Sequence, residues 1–310
     1  MAEPQELPLP TPAPSPPPEP ATRPSISAEI NKATRKHHTE LNRLIIDRLP
    51  LALPPHTPIP DLLGQGLATF AHIFFAFEDI WQDIEDGTHR LSKYDPDQAH
   101  AYDVVSSLAF LRPMGLVRSE RLRKDLEAIS TRVGRDVLLK DAVGRHVEGR
   151  VREQVDRHPW LLVAYAWVMY MAIFSGGRWI RQQFANAGPE FWTGQEAAVV
   201  AGILDEKKKL QLPGFSFLSF DSAEDGEDMK AEFKSRLADT EALLTDTERQ
   251  EVVDAAQGLF EECIALVGEL DLAVAKRKTA SIALPAVVLT LLLLLMVWLY
   301  WFDNYVYAGR

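Results

Sequence analysis

The sequence predicts an all-α domain followed by one C-terminal transmembrane helix. Three observations carry this. Apolar residues recur at helical spacing in nearly every segment between Ser25 and Ala275, with no convincing strand alternation and no internal repeat. Helix start signals precede several of these segments. Near the far end, an apolar run from Ala280 to Phe302 contains no charged residue.

The chain divides accordingly into a proline-rich tail (1–24), a helical domain (25–275) and a basic flank with a membrane anchor (276–310). Met1 to Pro24 holds ten prolines and no apolar core of signal-peptide length. Proline removes amide donors and favours extended backbone, so this stretch is expected to be disordered. The 310 residues are 46% apolar and 25% charged, enough for a sizeable core. A formal net charge of −11 argues against nucleic acid as a partner. The single cysteine, Cys263, excludes an intramolecular disulfide or a multi-cysteine zinc site.

In order along the chain, Ser27 is expected to cap a first helix with Glu29 in its first turn. The stripe Ile30, Ala33, His37, Leu41, Leu44 and Ile45 lies on its inner face, and Pro50 ends it. A second helix starts at Pro60-Asp61 and runs to Gly87. Its late carboxylates, Glu78, Asp79, Asp83, Glu85 and Asp86, lack the Glu-x-x-His spacing of a di-iron site and read as a solvated face. Helices follow at about Asp97–Leu111, Gly115–Ser130 and Arg135–Val155. The segment Pro159–Asn186 is apolar nearly all round and belongs inside the domain. Within it, Ser175-Gly176-Gly177 suggests a kink, or a place where something flat approaches the backbone, because interior glycines each cost up to about 1 kcal/mol relative to Ala. Thr193 to Glu196 and Thr245 to Glu248 are capping-box patterns, the first opening a short helix. The closing helices are expected at Asp228–Leu244 and Asp246–Ala275.

The apolar run Ala280–Phe302 can cross a hydrocarbon core of about 30 Å at about 1.5 Å per residue. Trp298, Tyr300 and Trp301 form an aromatic belt, and Lys276, Arg277 and Lys278 precede the run, placing the domain in the cytosol. With eight residues after Phe302, this reads as a tail anchor of the endoplasmic reticulum membrane.

No nucleophile elbow, P-loop, dinucleotide fingerprint or zincin motif is present. What remains is Ala33-Thr34-Arg35-Lys36-His37-His38-Thr39, with two adjacent imidazoles beside two cations. Periodicity favours His37 as the inward one, while His38 aligns with Thr34, Leu41 and Ile45. At this point the chain resembles the haem oxygenase family, over roughly Ser25 to Asp271. The family's first helix carries Ala-Thr-Lys/Arg-x-x-His-Thr, and the resemblance implies His38 as the ligand of haem iron. Ala71-His72-Ile73 is similar to a segment of the family's second helix, and Leu161 to Gly177 to its distal helix. Lys230-Ala-Glu-Phe-Lys234-Ser-Arg236 resembles the basic helix that binds haem propionates. Arg35, one turn before His38, matches a further propionate contact, since cations satisfy carboxylates.

The resemblance implies haem as both substrate and cofactor, opened to biliverdin, carbon monoxide and ferrous iron. Dioxygen would be consumed, with electrons from an NADPH-dependent cytochrome reductase docked on exposed Arg and Lys. One departure stands out. The family's distal block Gly-Asp-Leu-Ser-Gly-Gly is Ala172-Ile173-Phe174-Ser175-Gly176-Gly177 here. Ile173 replaces the aspartate that holds distal water, and isoleucine neither donates nor accepts a hydrogen bond. Tyr165 and Trp167 are the nearby residues able to hold water in its place. The alternative implied is a haem-binding or haem-sensing membrane protein that does not cleave its ligand.

Overall fold

The computed structural model describes residues 23–138, 143–195 and 215–308. Among them there are only helices, turns and connecting loops: α1 (Ile26–Arg48), α2 (Asp61–Glu85), α3 (Ala99–Leu111), α4 (Ser119–Val133), α5 (Arg145–Arg157), α6 (Leu162–Asn186), α7 (Pro189–Thr193), α8 (Glu227–Glu241) and α9 (Asp246–Ala308). Most of the proline-rich tail, 1–22, lies outside the described residues.

The cap of α1 is Ser25, whose Oγ accepts from Ala28 N at 3.3 Å, rather than the expected Ser27. Ser27 sits inside the first turn, its hydroxyl 2.9 Å from that of Ser25. α1 then pairs with α9 in a constant register. Arg23 meets Asp246, Gln257 donates to the Ala33 carbonyl at 3.3 Å, and His37 lies 3.5 Å from Glu261. Arg48 grips Asp271 at 2.9–3.0 Å through its Nε. The sequence separation is 223 or 224 in each case. Two helices of equal rise keep a fixed offset only when they run parallel and in step, here over roughly 37 Å.

α2 and α6 supply the core. Phe74, Phe77, Trp81 and Tyr170 form one aromatic cluster, with ring centroids 5.6–6.5 Å apart. The Trp81 indole N–H donates to the Leu108 carbonyl at 2.9 Å, satisfying its polar edge. Pro159–Asn186 is long and apolar enough to cross a membrane, but 72% of its most apolar window is buried in the domain. It is a core helix, as its all-round apolarity predicts.

Several boundaries move for local reasons. α4 starts at Ser119, because Gly115 turns the chain at φ +82°. It stops at Gly134, which adopts the left-handed conformation that glycine takes without a Cβ penalty. α5 therefore begins only at Arg145, not Arg135. Thr193 ends α7 rather than opening a helix, and the rest of that capping box lies outside the described residues. The Thr245–Glu248 box forms as expected, Thr245 N donating to Glu248 at 2.8 Å and Glu248 N to the threonine hydroxyl at 3.3 Å. α9 continues helical past Ala275 to Ala308.

The largest correction concerns the acidic face of α2. Glu78 is not solvated but 2% exposed. Its carboxylate accepts from the amides of Arg118 (2.9 Å) and Ser119 (2.7 Å) and from the Tyr170 hydroxyl (2.7 Å). Arg118 offers α4 no side-chain cap of its own, so Glu78 caps that helix from a neighbouring element.

Candidate functional site

The adjacent imidazoles of α1 are separated by the helix register. His37 falls on the inner stripe with Ile30 and Leu41, as periodicity predicts, and faces Glu261 of α9. Its Nδ1 is buried with no hydrogen-bond partner among the described residues. His38 lies on the exposed side of the helix, edge-on to Phe260 with ring centroids 6.0 Å apart. Asn31, Arg35 and His38 stand at i, i+4 and i+7, one line down the outer face of α1. Arg35 is exposed, and among the described residues no carboxylate pairs with it.

α6 meets α1 at that line. The Trp167 indole N–H donates to Asn31 Oδ1 at 3.0 Å. A cavity of about 260 Å³ adjoins the contact, lined by Ser27, Asn31, Trp167, Lys234, Leu237 and Glu241 among others. Beyond Trp167, α6 continues as one helix through Ser175-Gly176-Gly177. Ala172, Ser175, Gly176 and Trp179 form an uncovered stripe at helical spacing. A Cβ placed on Gly176 would meet nothing within 4 Å, so no neighbouring helix requires that glycine. On Gly177 it would meet Leu218 at 3.5 Å and Ile173 at 3.6 Å, ordinary core contact.

Ile173 itself is 6% exposed, and its neighbour Phe174 stacks on Phe220 at 5.1 Å with the planes 8° apart. The polar groups on this helix are engaged elsewhere. The Tyr165 hydroxyl donates to Gln154 at 2.8 Å, and burial pushes it up to about 12. Trp167 is held by Asn31, and Tyr170 by Glu78. Neither Tyr165 nor Trp167 is therefore free to take the place of a distal carboxylate.

The basic residues of α8 separate into two groups. Lys234 is exposed and borders the cavity beside Asn31, while Lys230 is part-buried, 3.5 Å from Glu227. Arg236 turns the other way. Its guanidinium donates to the carbonyls of Phe110 (2.8 Å) and Arg112 (3.0 Å) and pairs with Glu232, closing the end of α3 instead of joining Lys234. His72 is likewise structural: 2% exposed, with Nδ1 3.1 Å from Glu148. Asn31 and Trp167 join the site without having been singled out as a pair. Asn31 was legible only as sharing a stripe with His38.

Among the described residues no three His, Cys, Asp or Glu side chains converge on a metal position. A metal held by His38 would bring its remaining ligands with it, as a macrocyclic iron does. Among the described residues, an exposed imidazole, two cations with no carboxylate partner and an uncovered stretch of helix form a donor set suited to haem with its two carboxylates.

Residues 97–269, more than half of the chain, match the family described as Heme oxygenase, and the chain belongs to that family. The match leaves α1 outside it. A curated relative, "Heme-binding protein HMX1" of Saccharomyces cerevisiae, is 23% identical over 263 residues, covering 80% of this chain and 76% of that protein. Among solved structures, heme oxygenase-1 of the cyanobacterium Synechocystis in complex with heme is similar with a TM-score of 0.55 at 19% identity, covering 83% of this chain and 99% of that one. Heme oxygenase 2 of Chlamydomonas reinhardtii gives a TM-score of 0.54 at 19% identity, over 79% and 97%. At these identities the structures establish the shared fold.

Proposed function

We propose that this chain binds haem between α1 and the uncovered stripe of α6, with His38 on the iron. One observation carries the choice of ligand. The α1–α9 register commits His37 to Glu261, leaving His38 as the exposed imidazole in line with Arg35. Arg35 and Lys234 would hold the propionates, with Lys230 drawn from Glu227 to assist. Gly176 would let the macrocycle lie against helix backbone. Bound haem supplies the iron at which dioxygen and electrons react.

Ile173 is buried, Tyr165, Trp167 and Tyr170 are already donating, and α6 contains no Asp or Glu, so that helix offers no side-chain carboxylate to hold distal water. We therefore read it first as a haem-binding protein. Oxidative opening of haem to biliverdin, carbon monoxide and ferrous iron is the second reading, favoured by family membership. It would draw electrons from an NADPH-dependent cytochrome reductase. Residues 276–310 would anchor the chain in the endoplasmic reticulum membrane, domain towards the cytosol. The uncharged run Ala280–Phe302 and the cations before it support that reading.

The test is titration of the full-length chain in detergent with hemin. A Soret band that His37→Ala keeps and His38→Ala loses supports the assignment; the reverse pattern overturns it. Adding reductase, NADPH and oxygen then separates the two readings. Biliverdin establishes the oxygenase, and an unconsumed complex the binding protein.

A further inference from the structure

The end of the domain from which α9 departs combines an uncharged loop with exposed apolar side chains. Arg48 and Asp271 tie the C-terminus of α1 to α9, and the chain then loops from Leu49 to Pro60 before entering α2. Those twelve residues contain no Asp, Glu, Lys or Arg and five prolines. Leu51, in the first turn of the loop, is 51% exposed, Leu272 beside Asp271 is 63% exposed, and Ile46 is 45% exposed. Each of these side chains leaves apolar surface in water at the end of the domain that precedes the uncharged run.

α9 does not leave the domain at this level. Arg277 still donates to Gln65 of α2 at 2.6 Å. Only two residues lie between that contact and Ala280, roughly 4.5 Å of helix rise. No carboxylate occurs from Leu272 to Phe302, whereas Lys276, Arg277 and Lys278 fall within it.

We propose that the loop Leu49–Pro60, together with Leu272 and Ile46, is a lipid-contacting surface that seats the domain directly on the bilayer. The proposal rests on the membrane-anchor reading of residues 276–310. The occupant follows from continuity. The same helix that borders the apolar patch runs on into the uncharged segment, with no linker to hold the domain away from the headgroups. Lys276 and Arg277 would meet anionic headgroups, each contributing on the order of 1 kcal/mol near such a surface. Proline suits the loop, because a residue without an N–H leaves one donor fewer to strand when backbone enters the interface. The domain is thus held in one orientation, with the N-terminal end of α1 pointing away from the membrane.

The test uses the full chain reconstituted in vesicles of phosphatidylcholine and phosphatidylserine. A polarity-sensitive dye is attached at Leu51→Cys and, as control, at Phe110→Cys. Phe110 is 76% exposed at the opposite end, where Arg236 holds its carbonyl and Ser107 bonds Thr240. Native Cys263 is buried and does not compete for label. Flotation with the vesicles is scored first. Quenching by spin-labelled lipid at position 51 and not at 110 is the expected result. A chain that floats but is quenched at neither position, or equally at both, overturns the seating while leaving the anchor intact. A chain that does not float removes the anchor reading and the seating with it.

Discussion

Removing the Glu78 carboxylate should be among the most damaging single changes available in this domain. Glu78→Ala strands the amides of Arg118 and Ser119, which begin α4, and the Tyr170 hydroxyl on α6. A hydrogen bond to a charged group contributes about 1.5–3 kcal/mol, and a buried donor left unpaired costs about 1–3 kcal/mol. The three contacts share one carboxylate and are not additive, so the loss is set at about 4 kcal/mol. At about 2–4 °C per kcal/mol for a domain of this size, Tm should fall by roughly 8–16 °C. Glu78→Gln keeps an acceptor for Tyr170 but loses the charge at the helix end, and should cost about 2 kcal/mol. Tyr170→Phe removes one donor and should cost about 1 kcal/mol. Thermal and urea unfolding of the full-length chain, followed by circular dichroism, measures all three. A loss below about 1 kcal/mol for Glu78→Ala would refute the idea that α2 caps α4. Equal losses for the Gln and Ala variants would instead assign the effect to charge alone.

Acid should destabilise the domain through its buried histidines. Burial pushes the imidazoles of His72 and His89 below their usual value, so folding favours their neutral forms. Their contribution is complete above the unfolded pKa of about 6.5 and is lost as pH falls towards the depressed folded values, with a slope of up to about 1.4 kcal/mol per pH unit for each residue. Urea midpoints should fall between pH 7.5 and 5.5, and His72→Gln should flatten the curve; a flat wild-type profile contradicts this. Arg236→Ala should lower stability by about 1 kcal/mol with hemin affinity unchanged, because its bonds go to α3 carbonyls. Lys234→Ala should do the opposite, and isothermal titration of both variants checks the pair. Ile173→Asp should cost about 3–5 kcal/mol, from lost apolar burial and an unpaired buried carboxyl. If a missing carboxylate alone limits ring opening, that variant produces more biliverdin despite its lower Tm; equal pigment from both forms rules this out.

Most helices were legible because their apolar spacing and caps are local properties. α2, α6 and the capping box at Thr245 form where pattern reading puts them. What failed was non-local. Glu78 sits among four other carboxylates and nothing in its neighbourhood marks it as buried; its partners lie 40, 41 and 92 residues away. Arg236 shares a helix and a motif with Lys234, yet two residues along a helix is a turn of about 200°, enough to send it to the opposite side. Gly144, left-handed at φ +92° immediately before α5, is a legible start signal that the expected Arg135–Val155 helix runs through. Between the two histidines, periodicity identified His37 as the inward residue and the structure agrees. Inward, however, means packed against α9, so the exposed neighbour is the one left available to a ligand.

The α1–α9 pair links these features physically. A fixed offset of 223–224 residues means that a position on α1 determines what stands beside it on α9. At one level the register places His37 against Glu261 and turns His38 outward beside Phe260. Ten residues further along α9, about 15 Å, it places Arg48 against Asp271 and the uncharged loop at the end from which α9 departs. Sliding α1 by one residue would rotate it by about 100° against its partner and disturb both ends together. The proposed haem face and the proposed lipid surface would therefore both depend on one helix pairing, so a substitution at Asp271 should also be felt at the level of His37 and His38.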